Sequence, residues 1–127
     1  MRAKSGDIAE IAFHLAASRL GFITASPVNN NTVYDVLFDS GPDIKKIQVK
    51  GNFSKGHCFG FNISRGNKDK VSYTSKEVHF IACYINCINL WYIIPIDLVT
   101  KIKKITLFPN GKLSKWNKYK EAWHLLC

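Results

Sequence analysis

Two apolar runs in the middle of the chain constrain its fold most. Residues 78–85 (VHFIACYI) and 90–94 (LWYII) are dense in Val, Ile, Tyr, Phe and Trp. Side chains of that kind suit a pleated surface buried on both faces, so two core strands are expected there. Pro95 ends the second, because it cannot donate to a ladder. A sheet of this sort needs partners before and after it. Upstream, residues 32–39 and 44–50 read as two more strands, joined by the turn Ser40-Gly41-Pro42-Asp43. So short a connection implies an antiparallel hairpin. Residues 57–63 read as a further strand, 22–25 and 105–108 as short ones, and 96–99 as a helical turn.

Residues 5–20 carry apolar side chains at helical spacing, namely Ile8, Ile11, Ala12, Leu15 and Leu20. An amphipathic helix follows, with Ser5 as N-cap, Asp7 at the positive end and Gly21 just past the last turn. Residues 114–126 read as a closing helix, with Ser114 as N-cap and Trp116, Tyr119, Trp123 and Leu126 along one side. Residues 26–31 and 51–56 read as loop or turn, and 64–75 as an exposed basic loop. Helix, strands and helix in this order describe an α/β or α+β domain, one unit spanning residues 1–127.

Charge narrows the function. Against 9 Asp and Glu the chain has 18 Lys and Arg, for a formal net charge of +9. Such an excess favours a polyanion, because neutralising phosphates drives non-specific nucleic-acid binding. An anionic membrane surface is the competing partner. No stretch approaches the roughly 20 apolar residues of a membrane span, and residues 1–6 lack a signal-peptide pattern. The four cysteines form no CxxC pair and no zinc-finger spacing. Buried free thiols in a cytoplasmic protein are expected.

Chemistry concentrates in the first hairpin. Asp35 lies on one strand, and Gln48 and Lys50 lie two residues apart on its partner, on one face. An acid, an oxygen-bearing side chain and a lysine at one spot suit phosphodiester hydrolysis. Carboxylate and amide oxygens can hold Mg²⁺, and a lysine can position or help deprotonate the attacking water. The charged Glu10 interrupts the apolar side of the first helix just upstream. Taken alone, D…QxK is a degenerate pattern.

Longer segments carry more. The run GDIAEIAFHLAASRLG, then YDVLFD, then IQVK, resembles the PD-(D/E)xK nucleases. Through YTSKEVHFIACY, LWYIIP and KYKEAWHLL the chain is similar to the intron-associated homing endonucleases of cyanobacteria and their phages. This resemblance implies a restriction-endonuclease-like mixed central sheet flanked by helices. It implies a site-specific DNA endonuclease using Mg²⁺, with Mn²⁺ able to substitute. Glu10, Asp35, Gln48 and Lys50 would form the catalytic set, and Glu10, Asp35, Gln48 and Val49 the metal set. Gln48 stands where the family usually has Glu or Asp, which removes one negative charge. A Holliday-junction resolvase, or a catalytically weak DNA-binding module of the same fold, is the alternative.

Lys45, Lys46 and Lys55 around the hairpin, with Arg65, Lys68 and Lys70, are the candidate DNA-facing cations. Lys46 shares the parity of Gln48 and Lys50, although a solvated lysine would also fit. Asp39 and Asp43 suit turn chemistry, and His14, His57 and His79 structural roles. Trp91, Trp116 and Trp123 suit core anchors. One small domain with one site must pair to cut both strands, so a homodimer or a dimer of dimers around partly palindromic DNA is expected.

Overall fold

A computed structural model describes residues 4–29, 31–65, 71–72 and 75–127. In order these form α1 (Ser5–Arg19), β1 (Ile23–Ala25), β2 (Val36–Asp39), β3 (Ile44–Asn52), β4 (Phe59–Asn62), β5 (Ser64–Arg65), β6 (Val71–Ser72), β7 (Phe80–Ile85), β8 (Leu90–Pro95) and β9 (Lys104–Leu107). The main sheet runs β1-β2-β3-β7-β8. Every neighbouring pair in it is antiparallel except β3–β7, which is parallel. A parallel pair needs a crossover, and here that crossover carries β4, β5 and β6. β4 pairs with β9 in a small antiparallel sheet. β5 and β6 pair inside the stretch expected to be only a loop.

Core fills both faces of the main sheet. On one, Ala9, Phe13 and Ala17 of α1 pack on Val36, Phe38, Ile47, Val49, Trp91 and Trp123. On the other, Ile81, Cys83, Ile85, Tyr92 and Ile94 meet Phe59, Phe61, Ile105 and Leu107 of the small sheet. The central β7 and β8 are therefore covered twice, which is why their sequence is nearly unbroken apolar. All three tryptophans are buried, as core anchors should be.

Several expectations need correction. α1 forms, but its buried face is Ala9, Phe13 and Ala17, whereas Ile8, Ile11, Leu15 and Leu20 stay exposed. Ala9 and Ala17 let the helix sit close to the sheet on either side of Phe13, which packs on Trp91 and Trp123, and the aliphatic stripe is left outside. Lys4, not Ser5, precedes the first turn, without a side-chain cap. No closing α-helix forms over 114–126. That segment makes two 3₁₀ turns, Asn117–Tyr119 and Trp123–Leu126. Between them Glu121 takes a left-handed φ of 47°, and a bridge joins Lys120 to Tyr92 on β8. Glu121 donates its N–H to the Trp91 carbonyl, and its carboxylate accepts the Trp91 N–H and the Trp123 indole N–H. The segment thus covers an open sheet edge, and those bonds outweigh helix propensity. Finally, all four cysteines are free, but only Cys83 is buried. Cys87 sits on the exposed turn Asn86–Ile88 between β7 and β8.

Candidate active site

β2 and β3 pair from Asp39↔Ile44 to Val36↔Ile47 and then part. Asp35 stands at that fork, one residue before β2. Its N–H still donates to the Ile47 carbonyl at 2.8 Å. Its carboxylate Oδ2, not a strand carbonyl, accepts the N–H of Val49 at 2.9 Å. A side chain has replaced the next rung of the ladder. On its other edge β3 remains fully paired, with Gln48↔Ile81, Val49↔Ala82 and Lys50↔Cys83. The segment Gln48–Lys50 is thereby rigid on one side and open on the other.

Glu10 reaches this fork from α1 and hydrogen-bonds to Asp35. Burial, the charge on Asp35 and that hydrogen bond push its carboxyl up to about 7. Asp35 is also raised, chiefly by burial, but the Val49 N–H, the bond from Glu10 and the Lys50 ammonium oppose the rise. Two carboxyls in contact cannot both ionise cheaply. Below about pH 7 the proton of the pair sits on Glu10, which donates it to Asp35. Such sharing marks functional sites more often than structural ones.

Gln48 is the one buried polar residue in the described core, 9 % exposed, and its Oε1 has no hydrogen-bond partner among the described residues. An orphaned amide oxygen costs about 1–3 kcal/mol. Gln48 precedes Val49, whose N–H holds the Asp35 carboxylate, and Asp35 in turn meets Glu10; with the Val49 carbonyl these are the candidate oxygens. Val49 has no side-chain donor, so only that main-chain oxygen could serve. All four are hard oxygens, the set that suits Mg²⁺ or Mn²⁺. No group of three His, Cys, Asp or Glu side chains occurs among the described residues. The charge available to a cation is therefore that of the two carboxylates.

The cations divide. Lys46 Nζ lies 5.7 Å from the centre of the Tyr34 ring and 3.4 Å from the Lys76 carbonyl oxygen. Tyr34 lines a cavity with Glu10 and Asp35, so Lys46 borders the site. Lys45 instead pairs with Asp43 at 3.6 Å, and Lys55 is exposed in the loop after β3. The Arg65 side chain, Lys68 and Lys70 lie outside the described residues. Asp39 accepts the Gly41 N–H at 2.8 Å, turn chemistry as expected. Composition by position offered a signal that sequence reasoning missed: between Lys101 and Lys120 there are seven lysines and no acid.

His14, His57 and His79 carry no carboxylate contact in any described bond. His79 Nδ1 accepts the Lys46 N–H at 2.9 Å, extending the β3–β7 junction. His14 has more to do. It bonds Thr24 Oγ1 at 2.6 Å and Ser26 Oγ at 2.8 Å, tying α1 to β1 and to the loop that leads to Asp35.

A forked hairpin carrying an acid opposite QxK, joined by a helix-borne glutamate, defines a restriction-endonuclease-like nuclease site. The chain belongs to the PD-(D/E)XK endonuclease family, whose model matches residues 1–126. Its structure is similar to that of a bacterial homing endonuclease, I-Ssp6803I, with a TM-score of 0.83 and 25 % identity, over 96 % of this chain and 90 % of that one. No curated protein matches it. The chain is a DNA endonuclease. No helix among the described residues is long and apolar enough to cross a membrane.

Proposed function

We propose that residues 1–127 act as one homing-type domain that cuts double-stranded DNA at a specific site with Mg²⁺, for which Mn²⁺ can substitute. The observation that carries the metal half is the orphaned Gln48 Oε1 on the strand whose next residue, Val49, holds the Asp35 carboxylate. Asp35, Glu10, Gln48 Oε1 and the Val49 carbonyl would hold the ion. When bound, a divalent ion supplies charge for the phosphorane and acidifies a water. Asp35 is fixed for this by the Val49 N–H on its Oδ2. Glu10 must give up its proton before it can contribute a charge. Lys50, held over β7, would orient the attacking water and offset charge on the non-bridging oxygens.

Homing-type action fits the likeness to I-Ssp6803I, a bacterial homing endonuclease. Cutting two strands with one site per chain calls for a homodimer or a dimer of dimers. The exposed stripe Ile8, Ile11 and Leu15 on α1, in a segment without lysine or arginine between residues 5 and 18, is the contact a second copy would use.

The test is cleavage of linear duplex and of a four-way junction, with Mg²⁺ and with EDTA, by the parent and by Asp35→Ala. Metal-dependent cutting of linear duplex by the parent only is expected, with DNA binding kept in the variant. Cutting that survives EDTA or Asp35→Ala refutes the assignment, and preference for the junction makes the chain a resolvase.

A further inference from the structure

The chain between Arg19 and Lys45 holds no lysine or arginine, although the protein carries 18. That stretch includes the loop 26–35, which ends on Asp35. A side chain pressed on phosphates would be basic in a protein such as this. The loop offers amides, hydroxyls and one bare apolar residue. Val28 is fully exposed, and Asn29 and Asn31 are exposed beside it. Ser26, Asn29, Thr32 and Tyr34 form one wall of a cavity of about 160 Å³ whose other wall is Glu10 and Asp35. Whatever strand lies in the active site therefore passes this loop.

The loop is also held. His14 grips Thr24 and Ser26, and either tautomer serves, since a hydroxyl can donate or accept. Asn29 Oδ1 accepts the Asn31 N–H at 3.1 Å, and the Asn29 amide N–H groups have no partner among the described residues. Thr32 Oγ1 donates to the Tyr34 carbonyl at 2.9 Å, and Asp35 N–H anchors the far end to β3.

We propose that Val28, Asn29 and Asn31, in the loop that leads to Asp35, read base edges next to the scissile phosphate, through the two amides and the apolar face of Val28, with His14 as their positioning residue. Amides are the side chains whose donor and acceptor match an adenine edge, and an apolar tip suits a thymine methyl. Pre-setting the loop on His14 spares the ordering cost on binding. The inference rests on the nuclease reading above and adds where part of the specificity resides.

The experiment is selection of cleaved molecules from a randomised duplex library, with Mg²⁺, for the parent, Asn31→Ala and Val28→Ser. Neither substitution removes the Asn29–Asn31 turn bond, because the Asn31 main chain donates it. Expected is a loss of about tenfold in preference at one or two base pairs flanking the cut, with preferences elsewhere and the salt slope of binding unchanged. His14→Ala should blur the same positions. Identical profiles would overturn the inference. So would uniformly weaker cutting of all sequences with a shallower salt slope, which marks a phosphate contact. If the parent binds the library without cutting, the selection is run on retained DNA and read the same way. A parent that neither binds nor cuts refutes the nuclease reading itself.

Discussion

Replacing Glu10 by Gln separates the cost of the shared proton from its use. An amide keeps a donor for Asp35 but has no charge to lose. In the parent the carboxyl rises from 4.5 to about 7, which sets a ceiling of about 3 kcal/mol on the penalty for ionising it. Glu10 is only half-buried, and water screening reduces that to about 1 kcal/mol. Because the folded pKa lies above the unfolded one, the stability this group contributes is complete below pH 4.5. It is lost as pH rises through about 7. Without metal and with chelator present, the variant should match the parent at pH 5 and melt about 4 °C higher at pH 8. Added Mg²⁺ should reverse the order at pH 8, since only the parent can release a proton and gain a charged ligand. Cleavage should fall as far as in Asp35→Ala. Differential scanning calorimetry at the two pH values, with and without Mg²⁺, reads all three stability terms. If Glu10→Gln is no more stable than the parent at pH 8, the carboxyls do not share a proton. A variant that cuts like the parent across a Mg²⁺ titration removes Glu10 from the metal set.

Lys50→Ala should slow single-turnover cleavage of bound DNA by about a hundredfold or more while Mg²⁺-induced stabilisation stays at the parent's value, because a group acting on the transition state need not bind the ion; an unchanged rate would free Lys50 of any role in chemistry. Glu121→Ala removes the acceptors of the Trp91 N–H and the Trp123 indole N–H and should cost about 2 kcal/mol in urea unfolding. A loss below a few tenths would mean the C-terminal segment is held by apolar contacts alone. If the proposed pairing through α1 holds, light scattering should find the parent larger than one chain and Ile11→Lys with Leu15→Lys a monomer, as both side chains are exposed in the single chain; a monomeric parent or an unaltered mass would refute that contact.

The strands were legible because burial on two faces leaves a plain compositional mark. VHFIACYI and LWYII lie between two cores, and β2 and β3 are joined by a turn whose residues demand it. What eluded the sequence was non-local. Residues 114–126 have helix-compatible spacing, yet Glu121 is drawn into pairing with Trp91, thirty positions earlier. No window of local sequence records that the β8 edge lies open and within reach. The parallel join of β3 to β7 is similarly silent, because the crossover is built from short strands and not from the helix that usually announces it.

The site shows the same division in finer detail. Asp35, Gln48 and Lys50 follow from hairpin parity, so their neighbourhood could be read directly. That Asp35 would occupy the fork and take the Val49 N–H could not, because it depends on the β2 ladder beginning only at Val36. Glu10 was visible only as a charge out of place or through family resemblance. Its position depends on which face of α1 turns inward, and the larger apolar stripe points the wrong way. Small residues decide the matter. A Cβ on Gly51 would lie 3.0 Å from the Ala9 Cβ and 2.7 Å from the Phe53 ring, so helix and strand are as close there as the two residues permit. Ala9 immediately precedes Glu10. A larger residue at either position would lift α1 from β3 and carry the glutamate away from Asp35. The exposure of Ile8, Ile11 and Leu15 is thus the counterpart of the site: the turn that brings Glu10 to the acid is small at Ala9, and the bulky stripe is left for another surface.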